Sequence, residues 1–249
     1  MPAEAPVADS SVPRIVPALL SFTAGYVDAC TFLALFGLYV AQVTGSFVVM
    51  GAEFVAHDEG FLIKVLAIPV FFGAGVFTTV LAEILRRRGL PALAITLALE
   101  CALLAAFLVL GLAAPFRHTP NAPLTLLGAM LGLSAMGVQS ALVRLLMPGV
   151  ASTNVMTTNT TLFAIDTGEL LIGWHGRRKG DAQAAAQFAG ARDRLAVLVP
   201  LGLGFIFGTA AGAIGYLWFG LWCLLLILAA MLGLIAWALR ADRRRVTPP

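Results

Sequence analysis

Hydroxyls and amides gather at two places in a chain that is otherwise apolar: Thr44-Gly45-Ser46, and a stretch from Asn154 to Thr157-Thr158-Asn159. At a break in a helix such groups can replace the water around a polar solute, and the N–H groups at a half-helix start attract anions. The same hydroxyls can instead bond back to their own helix turn. Asp28 is a further candidate. A helix starting near Ile15 would carry it about 20 Å along the membrane normal. A carboxylate there costs roughly 2.5–3.5 kcal/mol on insertion scales, so it faces a cavity, an ion or a partner. Ser21, Gly25 and Asp28 fall on one helical face that is small and polar and suits close approach. Gln139 and Ser140 hold the matching place in the second half, where an amide can grip a solute or cross-link helices. The expected solute contacts are therefore Gly25, Asp28, Thr44, Gly45, Ser46, Gln139, Ser140, Asn154, Thr157, Thr158 and Asn159, with Asp28 also able to couple a proton. Glu53 and Asp166 flank the polar stretches, either as gates or as acids solvated at a membrane edge.

The elements that must position these residues follow from composition. Apolar residues make up 60% of the chain and charged residues 12%, with a mean hydropathy of +0.94. A soluble domain carries roughly a quarter of its residues charged, so too little polar surface is left to face water. The unit of organisation is instead the run of about 20 apolar residues that crosses hydrocarbon as a helix. Eight apolar segments are read at 15–36, 42–56, 62–85, 91–114, 124–143, 150–170, 195–216 and 218–239. Segment 42–56 is short and 150–170 is polar, and each follows a Gly or Pro break, as re-entrant or broken segments do. The fold expected is all-α: six transmembrane helices plus two re-entrant polar segments. A tail at 1–13 precedes a membrane domain at 14–240, with repeat A at about 14–114, repeat B at about 122–240, a basic cytoplasmic loop at 173–194 whose Ala/Gln-rich centre forms a short helix, and a basic tail at 241–249.

Orientation comes from Lys and Arg. If Arg14, Arg86 to Arg88, Arg144, the 177–194 cluster and Arg240 to Arg245 all face the cytoplasm, only Lys64 and Arg117 of the 16 basic residues lie outside. That requires segment 42–56 to enter and leave on the outer side and 150–170 to do so on the inner side. Both termini then lie in the cytoplasm, in an inner membrane. A simple eight-span path would leave Arg14 or the Arg86 cluster outside. The two halves also align: Gly25 and Ala29 with Gly137 and Ala141, Thr44 to Ser46 with Thr157 to Asn159, Glu53 with Asp166, and Pro69, Gly73 and Thr78 with Pro200, Gly204 and Thr209. With three crossings per half the copies are inverted, an architecture of secondary transporters.

Several function classes drop out. The net charge of +3 lies in short clusters between apolar runs, a topology signal rather than a nucleic-acid footprint. His57, His118 and His175 have no ligand spacing, and Cys30, Cys101 and Cys223 read as packing residues, so neither a metal nor another cofactor is expected. Gly204, Gly208 and Gly212 form a helix-packing stripe for another helix of the chain or for a second copy in a homodimer. No hydrolase, zincin, nucleotide-loop or kinase pattern occurs.

Ala24-Gly25-Tyr26-Val27-Asp28-Ala29, Val43-Thr44-Gly45 and Gly137-Val138-Gln139-Ser140-Ala141 resemble the YoaK family of bacterial membrane proteins, a domain of unknown function, over about Pro13 to Ala241. Ser46, Ser140 and Thr158 depart from that pattern, where Asn, Asn and Gly are usual. The resemblance implies a membrane location and no particular substrate. The function expected is a small secondary permease of a polar or anionic solute, in contact with membrane lipids. The alternatives are a non-transporting membrane partner or assembly protein, and an intramembrane enzyme.

Overall fold

In lipid each backbone N–H and C=O must find a partner within its own segment, and long Leu-, Ala- and Val-rich runs do so as helices. The computed structural model describes residues 12–56, 60–113, 121–178 and 181–246, and these form an all-helical structure. The helices are α1 (Ile15–Ala34), α2 (Val43–Ala56), α3 (Phe61–Arg87), α4 (Ala92–Ala113), α5 (Pro123–Leu146), α6 (Met156–Arg178), α7 (Ala182–Phe219) and α8 (Leu224–Val246), with a 3₁₀ turn at Gly220–Cys223 between the last two. Five segments are long and apolar enough to cross a membrane: α1, α3, α4, α5 and the composite of α7 and α8. The protein is thus a multi-pass membrane protein. Gly220, at φ +56°, interrupts the composite in a conformation that a Cβ disfavours.

Two differences from the sequence reading are physical. The stretch 173–194, expected as a loop with one short helix, is divided between the end of α6 and the start of α7. Asp181 starts α7 by accepting from the N–H groups of Gln183 and Ala184, an N-cap, and the Ala-rich run that follows favours helix. Gly173 and Gly176 of α6 let Ala184 and Phe188 of α7 approach closely, and the Arg177 guanidinium lies 4.7 Å from the centre of the Phe188 ring. The second difference is α6 itself, 23 residues long, which continues well past the polar stretch at its start.

Packing is arranged crosswise. α1 lies along α7, and α3 along α5, so, counting every helix, the first of each half pairs with the third of the other. α2 rests on α3, α6 rests on α7, and α4 packs on both α5 and α8. The stripe Gly204, Gly208 and Gly212 seats α1: a methyl at these positions would overlap the carbonyl oxygens of Ala18, Phe22 and Tyr26. Gly25 faces the Phe205 carbonyl and Thr209 in the same crossing, while Gly137 faces Phe71 and Ala74 in the crossing of α5 with α3. These small faces let backbones meet where lipid supplies no hydrophobic drive to association.

Candidate functional site

α1 and α5 end alike. Leu35 and Met147 close them with φ near −125° (−124° and −127°), and Gly37 and Gly149 follow at φ +76° and +79°. This left-handed step is open to glycine at little cost, and it turns the chain back along the helix it has just left. The returning loops, 38–42 and 150–155, lead into α2 and α6.

Asp28 holds the first loop. Its Oδ1 accepts from the N–H groups of Val40 and Ala41, both at 2.7 Å, and its Oδ2 accepts from Gln42 at 3.1 Å. The carboxylate is 3% exposed, and charge-assisted bonds of this kind are the strong ones. Ser46 completes the grip, accepting from the Tyr39 N–H and donating to the Tyr39 carbonyl. The start of α2, expected to attract a solute anion, is thus already served by a side chain of the protein.

Ser140 and Gln139 hold the second loop. The Asn154 amide donates to Ser140 Oγ at 3.0 Å. The Gln139 amide nitrogen lies within bonding distance of Thr153 Oγ1, Asn154 Oδ1 and the Leu20 carbonyl of α1. Asn159 donates to the Ser152 carbonyl at 2.7 Å, the counterpart of the bond from Ser46 to Tyr39. Each loop also touches the first helix of the opposite half: Val40 lies over Gly132, and Ser21 donates to the Thr153 and Leu201 carbonyls. Gln139 Oε1 and Thr23 Oγ1 are buried with no partner among the described residues.

The acids expected as gates both face cations. Glu53, in the last turns of α2, pairs at 2.5 Å with Lys64 of α3, whose ammonium also donates to the Phe36 carbonyl. α2 is thereby linked at its start, through the loop before it, to Asp28 of α1, and at its end, through Lys64 of α3, to the Phe36 carbonyl just past α1. Asp166 of α6 pairs at 2.7 Å with Arg194 of α7, which reaches Glu169 as well. The sequence reading missed both partners. The signal was present, since Lys64 and Arg194 stand at nearly matching places in the two halves, ahead of Pro69 and Pro200.

A cavity of about 660 Å³ lies between α2, α3, α5 and the second loop. Its polar lining is Thr44, Thr79, Ser140, Arg144 and Ser152, and its apolar wall includes Phe47, Phe71 and Phe72. Of the residues expected to contact a solute, Thr44 and Ser140 line this cavity. Asp28, Ser46, Gln139, Asn154 and Asn159 shape the two loops, Gly25 serves the α1–α7 crossing, and Gly45 sits against the Tyr39 ring. Thr157 and Thr158 are exposed on α6. No group of three or more metal-ligating side chains occurs among the described residues.

A family model described as "Protein of unknown function (DUF1275)" matches residues 16–238. The YoaK resemblance read from the sequence agrees with it, YoaK being a member of that family. No curated protein and no solved structure matches the chain.

Proposed function

The chain belongs to the DUF1275 family of proteins of unknown function, and from its own geometry we propose that it is a small secondary permease built from two inverted repeats. The observation that carries this reading is the recurrence, in both halves, of one constellation. It comprises a helix with a small face, a left-handed glycine, a returning loop held by the residue at Asp28 or Ser140, a bond across the first turn of the next helix, and an ion pair joining that helix to its successor. In inverted copies the two ion pairs lie toward opposite faces of the membrane, and α2 and α6 enter from opposite sides without crossing. Six crossings result, with both termini in the cytoplasm and the Arg86 and Arg177 clusters facing the anionic inner leaflet of a cytoplasmic membrane.

The crosswise packing gives such a protein its moving parts. One lobe holds α1, α6 and α7, and the other α2, α3 and α5, while α1 and α5 touch each other only over a short stretch. The polar loops lie at the seam. Lobes of this kind can rock against each other around a central site, opening first one side and then the other. The solute is a polar or anionic small molecule. Asp28 couples a proton indirectly: its carboxylate holds the first loop by charge-assisted bonds, and adding a proton weakens that hold.

Reconstitution of the full chain into liposomes with an imposed pH gradient tests the reading, with uptake followed over a panel of small labelled anions and neutral polar solutes. We expect at least one solute to accumulate and Asp28→Asn, which keeps the shape and removes the charge, to abolish the dependence on the gradient. Absence of flux for the whole panel, in vesicles whose protein remains folded, overturns the permease reading. Flux equally pH-dependent in the Asp28→Asn protein overturns the role of Asp28.

A further inference from the structure

We infer that the loop 150–155 and the adjoining cavity form a binding site for the carboxylate of a small organic acid with an apolar body, an assignment that rests on the permease reading for the fate of the ligand. The first half of the molecule shows what such a loop grips. There the N–H groups of Val40, Ala41 and Gln42 converge on one carboxylate, that of Asp28. The second half builds the same device around Ser140, a neutral hydroxyl at the position matching Asp28. The N–H groups of Ser152, Thr153, Asn154 and Val155 donate to no described residue. One half thus carries its own carboxylate, and the other has the donors without one.

Three features of the site fit an incoming acid. The cavity of about 660 Å³ opens at this loop, with Ser140 and Ser152 in its lining. Arg144, one helical turn beyond Ser140 on α5, lines the same cavity. A guanidinium there supplies the positive charge and the forked donors that suit a carboxylate. The opposite wall is apolar, with Phe47, Phe71 and Phe72, and it has no use for a fully hydrated ion such as chloride. A ligand pocket of mostly apolar lining with a few convergent polar groups is the usual form of a small-molecule site. The chemistry selected is therefore a carboxylate on an aromatic or branched apolar group.

The test uses the purified full chain in lipid nanodiscs, with phenylacetate as the probe and its neutral isostere phenylacetamide and the fatty acid oleate as comparisons. Thermal unfolding is followed while each is titrated. Phenylacetate is expected to raise Tm in a saturable way, because a ligand that binds the folded state stabilises it by mass action, and phenylacetamide is not. Arg144→Gln is expected to raise the apparent Kd for phenylacetate about tenfold. Ser140→Asp supplies the missing carboxylate internally. That protein is expected to melt higher than the wild type without ligand and to lose the response to phenylacetate. The inference is overturned if phenylacetamide stabilises as well as phenylacetate, if oleate alone stabilises, if no probe stabilises, or if Arg144→Gln leaves the apparent Kd unchanged. The last criterion decides the matter should Ser140→Asp fail to fold. Phenylacetate binding with no flux of any solute would sink the permease and leave the site standing. Flux of another solute with no response to phenylacetate would do the reverse.

Discussion

Single residues in this protein are chosen for how close they let backbones come and for where they put a charge. Gly208 shows the first constraint. A methyl there would meet the Phe22 carbonyl of α1 backbone to backbone, and neither partner has a flexible end that can give way. Gly233 on α8 has open space around it. Gly208→Ala is therefore expected to cost about 1–3 kcal/mol, the usual range for overpacking. Gly233→Ala should fall within about 0.5 kcal/mol of neutral, as exposed substitutions do. Unfolding of the two variants in mixed micelles with increasing sodium dodecyl sulfate compares them directly, and equal losses would refute the close crossing. The stripe itself was legible in the sequence, because small residues every fourth position have one strong meaning in a membrane helix. Its occupant, α1 rather than a second copy, was not, because spacing on one helix says nothing of the helix that faces it. Asp28 was legible for a similar reason, since an acid deep in an apolar run demands a partner. That its partners are three backbone N–H groups required the loop to turn back, and only Gly37 hinted at it.

At the scale of elements, α2 rests on α3 along one side and is anchored at its two ends. Its N-terminus hangs from Asp28, and its C-terminal turns are fixed by Glu53 on Lys64, a pair whose side chains are 12% and 0% exposed. Removing one member of a buried pair leaves the other charge uncompensated and costs about 3–5 kcal/mol, whereas replacing both by residues of similar size is often close to neutral. Lys64→Met alone is thus expected to lose roughly 3 kcal/mol or to fail in expression. The double variant Glu53→Gln with Lys64→Met is expected to recover most of that loss, giving a coupling energy of about 2 kcal/mol in a double-mutant cycle. Additive losses would mean that the pair does not hold α2. Helix boundaries were legible where apolar runs and basic clusters coincide, as at Arg86 to Arg88, and not where they diverge. The Ala/Gln-rich stretch from Ala182 reads as a short helix set apart within a loop, whereas it is the continuous start of α7. It is helix because Asp181 caps it and α6 packs against it.

For the whole molecule, the hydropathy pattern made an all-helical membrane protein readable at once, and short matches such as Gly25 with Gly137 are the sequence ground for the repeat proposed above. The crosswise pairing of α1 with α7 and of α3 with α5 could not be read, because hydropathy fixes how many helices there are and not which faces meet. The path of the chain across the bilayer depends on whether α2 and α6 cross. α2 has 14 residues, about 21 Å of helix, against a hydrocarbon core of about 30 Å; the loop before it is held by Asp28 of α1, and Lys64, the partner of Glu53 in its last turn, also reaches the Phe36 carbonyl just past α1. If α2 and α6 turn back, six crossings place Ala56 outside the cell and Asp181 inside. If both traverse, eight crossings bring Ala56 and Asp181 to the same side. Both residues are exposed, and the three native cysteines, all free, can be replaced by alanine before either position is mutated. Ala56→Cys and Asp181→Cys, probed in intact cells with a membrane-impermeant maleimide, therefore separate the two paths. Six crossings predict that Ala56→Cys is labelled before lysis and Asp181→Cys only after it. Labelling of both on one side would remove the inversion on which two opposed, exchanging lobes depend.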